Sequence, residues 1–376
     1  MSSFWQKIRS DFPVTQKTIY LDHASGGPLP RPVAEVFQRY SQTHLLQGDL
    51  AWPKWIRQRE DIRKKVARFL NADPSEITFV SSTSQGMNWI AELLADQGIV
   101  LTNTSEFPAS TLPWLWRKAK IIFQKEENGK IALSRMKTFL SPAVKTLVTS
   151  FVQYATGFRQ DLEALGKLKG NRYLVVNATQ GFGAFPVDVE KCKIDFLCTN
   201  SYKWLMAGYG GGVLYIRKKW LSKFLPASVG WRSMRQPERM NNRKIDLKKD
   251  ASRYEFGCPS FPAIFATGAA VDYLSAIGME RIQKRILALT GFLIQGLQEK
   301  GFDVISPNEE KHRSGIVMFR SDHTIQLIRA LLREGIYVSA RGVGIRVAPH
   351  FYNTFEEIEM FLKKLNRMAR PSRKRK

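Results

Sequence analysis

The sequence predicts an α/β protein in which helices cover a largely parallel β-sheet, with a smaller α/β domain at the C-terminal end. Between about residues 70 and 220, short β-branched runs alternate with helical patterns, which is typical of such a sheet. The pattern changes after a polar, basic stretch at 232–253, where long helical stretches begin. A chain of 376 residues, 44% of them hydrophobic, is somewhat long for one domain, so two are expected.

Seven apolar runs define the predicted strands of the large domain. They lie at 77–80, 98–102, 120–123, 146–152, 173–176, 194–198 and 211–217. Between the first two, the segment that begins at Gln85 predicts an amphipathic helix. Met87, Ile90 and Leu94 share its apolar face, and Gly98 ends it.

A second set of patterns predicts the smaller domain. Helices are expected around 262–300, followed by a strand at 315–319 and further short elements. Thr354 and Glu357 form a capping box that opens the last helix. The resulting division assigns 16–250 to the large domain, 1–15 and 260–366 to the small domain, and 367–376 to a basic tail that is expected to be disordered.

Composition limits the classes of function. The formal net charge is +25, and the tail supplies only six of these positive charges, so the excess is spread over the whole chain. Such a surface favours contact with polyanions without specifying a site, and nucleic-acid binding stays open but is not favoured. The chain start lacks the apolar run of a signal peptide, and no later segment is apolar for long enough to cross a membrane. A cytoplasmic location is therefore expected.

The three cysteines are Cys192, Cys198 and Cys258, and they show no CxxC pairing. An odd number of cysteines in a large chain without an export signal argues against a disulfide framework. Free thiols and no metal site are expected.

Chemistry-bearing residues follow the predicted strands, where ligands bind in open α/β sheets. Thr83 and Ser84 follow the first strand at a helix start, where backbone N–H groups and hydroxyls can hold a phosphate; an ordinary helix cap is the alternative. Asn177 follows the fifth strand, and Lys203 follows the sixth, ahead of the glycines at 210–212. A desolvated lysine there can lose its proton and attack an aldehyde, whereas a solvated surface lysine is the alternative.

A series of motifs in order extends over nearly the whole chain. It consists of YLDHASGGPLP near residue 20, SFVQYATGFRQDLEAL, NATQGFGAFPVDV, IDFLCTNSYKWL with its glycine run, VGWRS, YEFGCPSFPAI and IRVAPHFYNT near residue 354. In this series the chain resembles the class V aminotransferase family, the group of the cysteine desulfurases and isopenicillin N epimerase-like proteins. The resemblance implies the fold of the type I transferases that depend on pyridoxal 5'-phosphate (PLP), with PLP as the cofactor.

The resemblance also implies roles for individual positions. Lys203 matches the lysine that carries the cofactor as a Schiff base and moves a proton at Cα of the substrate. Arg346 matches the arginine that binds the substrate carboxylate, and His23 lies in a motif that borders the substrate, although a lone histidine is more often structural. The other implied cofactor contacts are Thr83 and Ser84 at the phosphate, Asn200 and Tyr202 beside it, Gln180 at the ring hydroxyl, and Phe107 stacked on the ring.

Two positions depart from the family. Asn177 stands where the family usually has an Asp against the pyridine nitrogen, and an amide cannot raise the pKa of its partner by about 1 to 3 units as a carboxylate does. Slow or altered chemistry, another proton donor, or cofactor binding without turnover would each follow from this change. Cys258 stands where the family commonly has a Thr that reaches the phosphate of the neighbouring subunit, so a homodimer with shared active sites is expected, with the thiol as a poor donor.

The expected function is a reaction at Cα of an amino acid substrate, most simply of the aminotransferase type. Cysteine desulfurase activity is not expected, because desulfurases need a mobile cysteine in the small domain and none follows Cys258 here; Phe107 also replaces the usual histidine. The alternative is a degenerate, catalytically weak or inactive protein of this fold. Such a protein would bind polyanions or a partner through its basic surface.

Overall fold

The computed structural model describes residues 3–369. Its strands in that range are Ile19–Tyr20 (β1), Ile77–Val80 (β2), Ile99–Asn103 (β3), Ile121–Gln124 (β4), Val144–Ser150 (β5), Tyr173–Asn177 (β6), Phe196–Asn200 (β7), Gly212–Ile216 (β8), Val317–Arg320 (β9), Ile336–Tyr337 (β10), Ser339–Arg341 (β11) and Gly344–Val347 (β12). Its α-helices are Ser3–Arg9 (α1), Arg31–Gln47 (α2), Trp52–Leu70 (α3), Thr83–Leu94 (α4), Pro108–Trp116 (α5), Leu133–Thr138 (α6), Leu162–Leu168 (α7), Lys218–Leu221 (α8), Phe261–Ile277 (α9), Met279–Glu299 (α10), Thr324–Arg333 (α11) and Phe355–Ala369 (α12).

A seven-stranded sheet, in the order β2-β8-β7-β6-β5-β3-β4, forms the centre of the large domain. The five strands from β7 to β4 in this order pair in parallel, and β8 is antiparallel to both of its neighbours, β2 and β7. Helices cover both faces, which explains why the strands read as continuous apolar runs in the sequence. The predicted fold class, a mostly parallel mixed sheet covered by helices, is confirmed.

Alternate residues of each strand enter different cores on the two faces of the sheet. In β6, Leu174 and Val176 belong to the core that also contains apolar side chains of α2, α3 and α9. Tyr173 and Val175 belong to the opposite core, which α4 covers with its apolar face. The sheet is therefore held between two helical layers, and the residues at its strand ends have little freedom to move.

The C-terminal part of the chain forms a three-stranded antiparallel sheet, in the order β11-β12-β9, with its own core. Side chains of α10, α11 and α12 pack onto this sheet in that core. The N-terminal strand β1 pairs with β10, and Asp22 forms a bridge to Ala348 beyond β12. Because of this pairing, the residues just after β1, including Asp22, lie next to the small sheet.

The seven predicted strands of the large domain all exist, shifted by at most two residues at their starts. The predicted capping box is present, since Thr354 Oγ1 accepts from the backbone N–H of Glu357 and the Glu357 carboxylate accepts from that of Thr354. Helix α12 continues through Ala369, so the tail was predicted to begin too early, and residues 370–376 lie outside the described range.

Within the described residues 3–369, no single helix is long and apolar enough to cross a membrane. Helices α9 and α10 reach that length only together, and they meet at a bend of 79°. The domain boundaries stay a prediction. Helix α9, which the sequence assigned to the small domain, packs against α2 and α3 of the large domain.

A buried ion cluster ties α3 to β2 and to the loop before α9. Glu255 accepts hydrogen bonds from Arg63 Nη1 at 2.8 Å and from the backbone N–H of Phe79 at 3.2 Å, and Arg59 lies 3.3 Å from it. Burial alone would raise the pKa of Glu255, but the charge and hydrogen bonds of Arg63 outweigh burial and lower this pKa below its usual value. The carboxylate thus offsets two guanidinium groups that the fold has removed from water.

We expect Glu255→Ala to lower the free energy of unfolding by about 3 kcal/mol, because it removes the buried carboxylate that pairs with Arg59 and Arg63 and leaves them only the more exposed Glu60. Urea denaturation measures this change. Asp61→Ala, which breaks an exposed pair with Lys64 on the same helix, is the matched control and should cost less than about 1 kcal/mol. Equal losses in the two variants would show that the buried cluster has no special role.

Candidate active site

A cavity of about 90 Å³ lies where β6 and β7 end and α4 begins. The structure brings together there most of the residues that the sequence singled out. Those lining the cavity include Thr83, Ser84, Phe107, Asn177, Gln180, Asn200, Tyr202 and Lys203. The carboxyl ends of adjacent parallel strands meet at one edge of a sheet, which is why residues far apart in the sequence converge here.

Lys203 lies three residues beyond β7, with its amine inside the cavity. Its Nζ is 5.8 Å from the ring centroid of Phe107 and 5.7 Å from that of Tyr202. Burial, together with the positive charges of Arg346 and Arg341, lowers the pKa of Lys203 from 10.5 to about 7. Near neutral pH a large fraction of this amine is therefore unprotonated and able to attack an aldehyde.

The N-terminus of α4 forms one end of the cavity. Ser82 caps the helix by accepting from the backbone N–H of Gln85 at 3.2 Å, and the hydroxyls of Thr83 and Thr179 lie 2.7 Å apart. Gly86 allows this helix to lie directly against β7, because a Cβ there would come within 2.3 Å of Cys198 Sγ. Backbone N–H groups, hydroxyls and the helix dipole together suit a phosphate at this end.

Asn177 and Gln180 are both held by protein partners. Asn177 donates from Nδ2 to Ser110 Oγ at 2.9 Å and accepts at Oδ1 from the backbone N–H of Thr179 at 3.1 Å. Gln180 donates to the carbonyl of Ala24 at 3.0 Å and accepts from Trp204 Nε1 at 2.7 Å. Their orientation is thus fixed before any ligand enters.

Asn200 leaves a polar atom unsatisfied at the same site. Its Oδ1 is buried and has no hydrogen-bond partner in the part of the chain that the structure describes. Buried polar atoms are nearly always paired, so this oxygen suits a group that a ligand supplies. A largely unprotonated amine and a helix end that suits a phosphate therefore both fit PLP, which carries an aldehyde and a phosphate.

Arg346 lies on β12 of the small domain, beside the cavity. Its Nη2 donates to Ser25 Oγ at 2.7 Å, and its Nη1 donates at 3.3 Å to the carbonyl of Tyr154, a residue that lines the cavity. Burial and the neighbouring charge of Arg341 lower the pKa of Arg346 to about 10, a value at which it still carries its charge at neutral pH. Only 1% of its surface is exposed. A buried guanidinium that holds a neutral serine is well placed to exchange that partner for a carboxylate.

His23 and Cys258 lie outside this cavity. His23 is buried beneath the lysine loop, where its ring contacts Trp204 and His350. Burial lowers its pKa well below the usual range, and His350 lowers it further, so the ring is neutral. We therefore find His23 supporting the loop of Lys203 from behind, which is the structural role that the sequence left open. Cys258 is exposed and lines a separate cavity of about 290 Å³ beside Gly210.

Four residues of the site were not assigned from the sequence. Asp22 and Ser25 lie in the motif YLDHASGGPLP, which was recognised as a match but given no charge-binding role. Tyr154 places its ring edge against Phe107, with the centroids 5.2 Å apart. Arg341 donates from Nη2 to Ser25 Oγ at 3.0 Å, next to Arg346. The sequence does contain a signal for Arg341, because it lies shortly before Arg346 with a short hairpin turn between them.

The fold and this site define a type I PLP-dependent enzyme. The chain belongs to the aminotransferase class-V family, whose model matches residues 19–372. It is 28% identical to a protein named a probable cysteine desulfurase from Pyrococcus abyssi, with 98% of each chain covered. It is 27% identical to an uncharacterized aminotransferase, YcbU, of Bacillus subtilis, which covers 94% of this chain and 95% of that relative.

Among solved structures, the apo cysteine desulfurase from Thermococcus onnurineus NA1 is similar over 97% of this chain and 98% of its own. The TM-score is 0.89 and the identity is 26%. These relatives contradict our expectation that cysteine desulfurase activity is unlikely. They also give no support to the alternative of a degenerate protein that binds polyanions. The expectation was wrong because it required the chain itself to carry the acceptor for sulfur, a function that an external thiol can fill.

We expect Lys203→Met to raise the thermal midpoint of the cofactor-free protein at about pH 6, with a gain that fades towards pH 10. The pKa of Lys203 falls from 10.5 in the unfolded chain to about 7 in the fold. Between these values the unfolded chain binds more protons, so wild-type stability rises with pH across this window and the full penalty applies below it. Calorimetry at several pH values measures the gain.

Lys54→Met, at an exposed position on α3, controls for the added apolar side chain. It should show no such dependence on pH. If the gain from Lys203→Met were the same at both ends of the range, the low pKa assigned to this lysine would be refuted.

Proposed function

We propose that this enzyme removes sulfur from a cysteine-type amino acid, with PLP held at Lys203 and the substrate carboxylate at Arg346. The observation that carries the proposal is that two groups lie at the same cavity: the Lys203 amine, with a pKa of about 7, and the buried guanidinium of Arg346. The similarity to proteins named cysteine desulfurases over nearly their full length supports sulfur removal as the reaction.

Arg346 is proposed to bind and orient the substrate. In the structure it bonds Ser25 Oγ and the carbonyl of Tyr154, and Asp22 lies 3.6 Å away. A carboxylate accepts two parallel hydrogen bonds from a guanidinium, so it is a stronger partner than a serine hydroxyl. Its binding would fix Cα of the substrate on the side of the cavity where Lys203 lies.

Lys203 is proposed to attach the cofactor and then to carry a proton at Cα. PLP supplies an electron sink that stabilises negative charge on that carbon. Since its pKa lies close to neutral pH, the Lys203 amine can both accept and return a proton without a large barrier. Phe107, Tyr154 and Tyr202 line the cavity around this amine.

The acceptor of sulfur is proposed to be a thiol from outside the chain. Burial raises the pKa of Cys192 to about 11 and that of Cys198 to about 12, so both stay in the unreactive thiol form. Cys258 lies in the other cavity, and a homodimer that would bring it to the partner's cofactor is also a proposal. A small thiol entering the open site fits this arrangement.

The test is to mix the protein, loaded with PLP, with L-cysteine and excess dithiothreitol, and to measure alanine and sulfide. We expect both products, with none from Lys203→Ala. Arg346→Lys should raise the KM about tenfold or more, because an ammonium cannot make the two parallel bonds of a guanidinium. Keto-acid formation without sulfide would instead contradict sulfur removal.

A second test concerns Asn177. We expect Asn177→Asp to speed the absorbance change that an amino acid causes in the loaded protein by at least about tenfold, because a carboxylate raises the pKa of a neighbouring base by about 1 to 3 units. Ser110 can keep its contact by donating its hydroxyl proton to the new carboxylate. Stopped-flow absorbance measures the rate.

Asn177→Leu is the control of similar size, and it should be slower than the wild type. Equal rates for Asn and Asp would show that another group already protonates the ring, and would remove Asn177 as the limiting feature.

A further inference from the structure

Two histidines form a buried pair behind the loop of Lys203, residues 201–206. The rings of His23 and His350 meet edge to face with their centroids 4.2 Å apart, and neither residue is exposed. His23 follows β1, whereas His350 follows β12. Each ring also contacts the indole of Trp204, at 5.2 Å between centroids. The pair therefore joins two distant segments of the chain to the residue next to Lys203.

The proton of the His350 ring is fixed by its backbone partners. Its Nδ1 lies 2.8 Å from the backbone nitrogen of Phe351, which can only donate, so Nδ1 accepts and the ring proton is on Nε2. Nε2 then donates to the carbonyl oxygen of Trp204 at 3.3 Å. A second proton on Nδ1 would face the N–H of Phe351 and break that hydrogen bond. Protonation of His350 is therefore incompatible with the closed arrangement of these segments.

No carboxylate contacts either imidazole in the part of the chain that the structure describes. The nearest titratable groups on the surrounding segments are Tyr20, Asp22, Lys203, Tyr352, Arg9 and Glu357. Of their side chains, the hydroxyl of Tyr352 contacts the pair, 3.2 Å from His23 Nδ1, and burial raises its pKa well above 10 and keeps it neutral. Asp22 accepts from Ser25 and Ser339 instead. A positive charge on either ring would thus have no counter-charge.

Both rings are neutral in the closed arrangement. Burial, the largest cause, lowers the pKa of His350 from 6.5 to about 3, and burial followed by the charge of His350 lowers that of His23 well below 6.5. In an opened segment that water reaches, both rings return to a pKa of about 6.5. Below that pH the opened form binds more protons than the closed form, so acid favours opening, and the effect vanishes above it. At pH 5 each histidine raises the opened population by about 30-fold.

We propose that His23 and His350 form an acid-sensitive latch, which holds the loop of Lys203 on the segment after β12. While both rings are neutral, the latch fixes the ring and the carbonyl of Trp204. Trp204 in turn donates from Nε1 to Gln180, which lines the cavity, at 2.7 Å. Protonation of the rings opens the latch and frees Trp204 from this position. The protein therefore holds its cofactor less firmly in acid, whichever reaction it catalyses.

Hydrogen exchange of the PLP-loaded protein tests the latch. After correction for the intrinsic effect of pH on exchange, peptides that cover 201–206 and 348–353 should exchange at least about 30-fold faster at pH 5 than at pH 7.5. Strand β6 should keep its protection, because the opening is local. The double variant His23→Asn, His350→Gln has neither titrating ring and should lose this ratio. His323→Gln changes an exposed histidine next to α11 and should retain it.

Retention of the cofactor is the second measure. Opening admits water to the bond between PLP and Lys203; addition of water to that bond releases PLP as its aldehyde and returns the lysine amine. The rate of PLP loss, followed by absorbance after gel filtration, should rise between pH 7.5 and pH 5. We expect this rise to be at least about tenfold larger in the wild type and in His323→Gln than in the double variant.

The same dependence on pH in the wild type and the double variant, by either measure, overturns the latch. If the double variant does not fold, histidine NMR of the wild type decides, because the five histidines of the chain can be followed one by one. Two rings should stay neutral down to pH 5, and a ring of the pair that titrates near pH 6.5 in the folded protein would overturn the inference equally. Neither result bears on sulfur removal, which is measured near neutral pH with the latch closed.

Discussion

The unfavourable burial of the Lys203 ammonium is the interaction on which the rest of the site depends. Removing an amine from water disfavours its charged form, and two nearby guanidinium groups disfavour it further. This destabilisation persists only because the surrounding structure fixes the lysine in place. The parallel sheet, the tight packing of α4 on β7 and the buried ring of His23 supply that constraint. The same packing that stabilises the large domain thus keeps its central amine reactive.

The site is assembled from three separate parts of the chain. Lys203 comes from the sheet of the large domain, Arg346 from a hairpin of the small domain, and Ser25 from the segment after β1. The pairing of β1 with β10 brings that N-terminal segment to the hairpin. The position of Arg346 relative to Lys203 therefore depends on contacts between these three parts of the chain, which include the hydrogen bonds from Arg346 to Ser25 and to the carbonyl of Tyr154.

Local pattern was sufficient to predict the strands and several site residues. Strands buried on both faces appear as apolar runs, and residues at their carboxyl ends converge, so Lys203, Asn177 and Thr83 could be placed from the sequence. His23 could not be placed, because its burial against Trp204 and His350 depends on contacts between distant segments. Arg341 was missed because its spacing from Arg346 is a weak signal, and the register of β11 and β12 is needed to show that the two side chains share one face.

Two features of the charge at this site act in the same direction. Asn177 provides no negative charge where the resemblance led us to expect a carboxylate, and Arg341 adds a positive charge next to Arg346. Asp22 is the one carboxylate that contacts this cluster in the described chain, and it cannot offset both arginines and Lys203. Electrostatic complementarity in a buried site must then come from the ligands: the cofactor phosphate at one end and the substrate at the other. The charge distribution, as well as the shape of the cavity, therefore favours ligands that bring negative charge to both ends of the site.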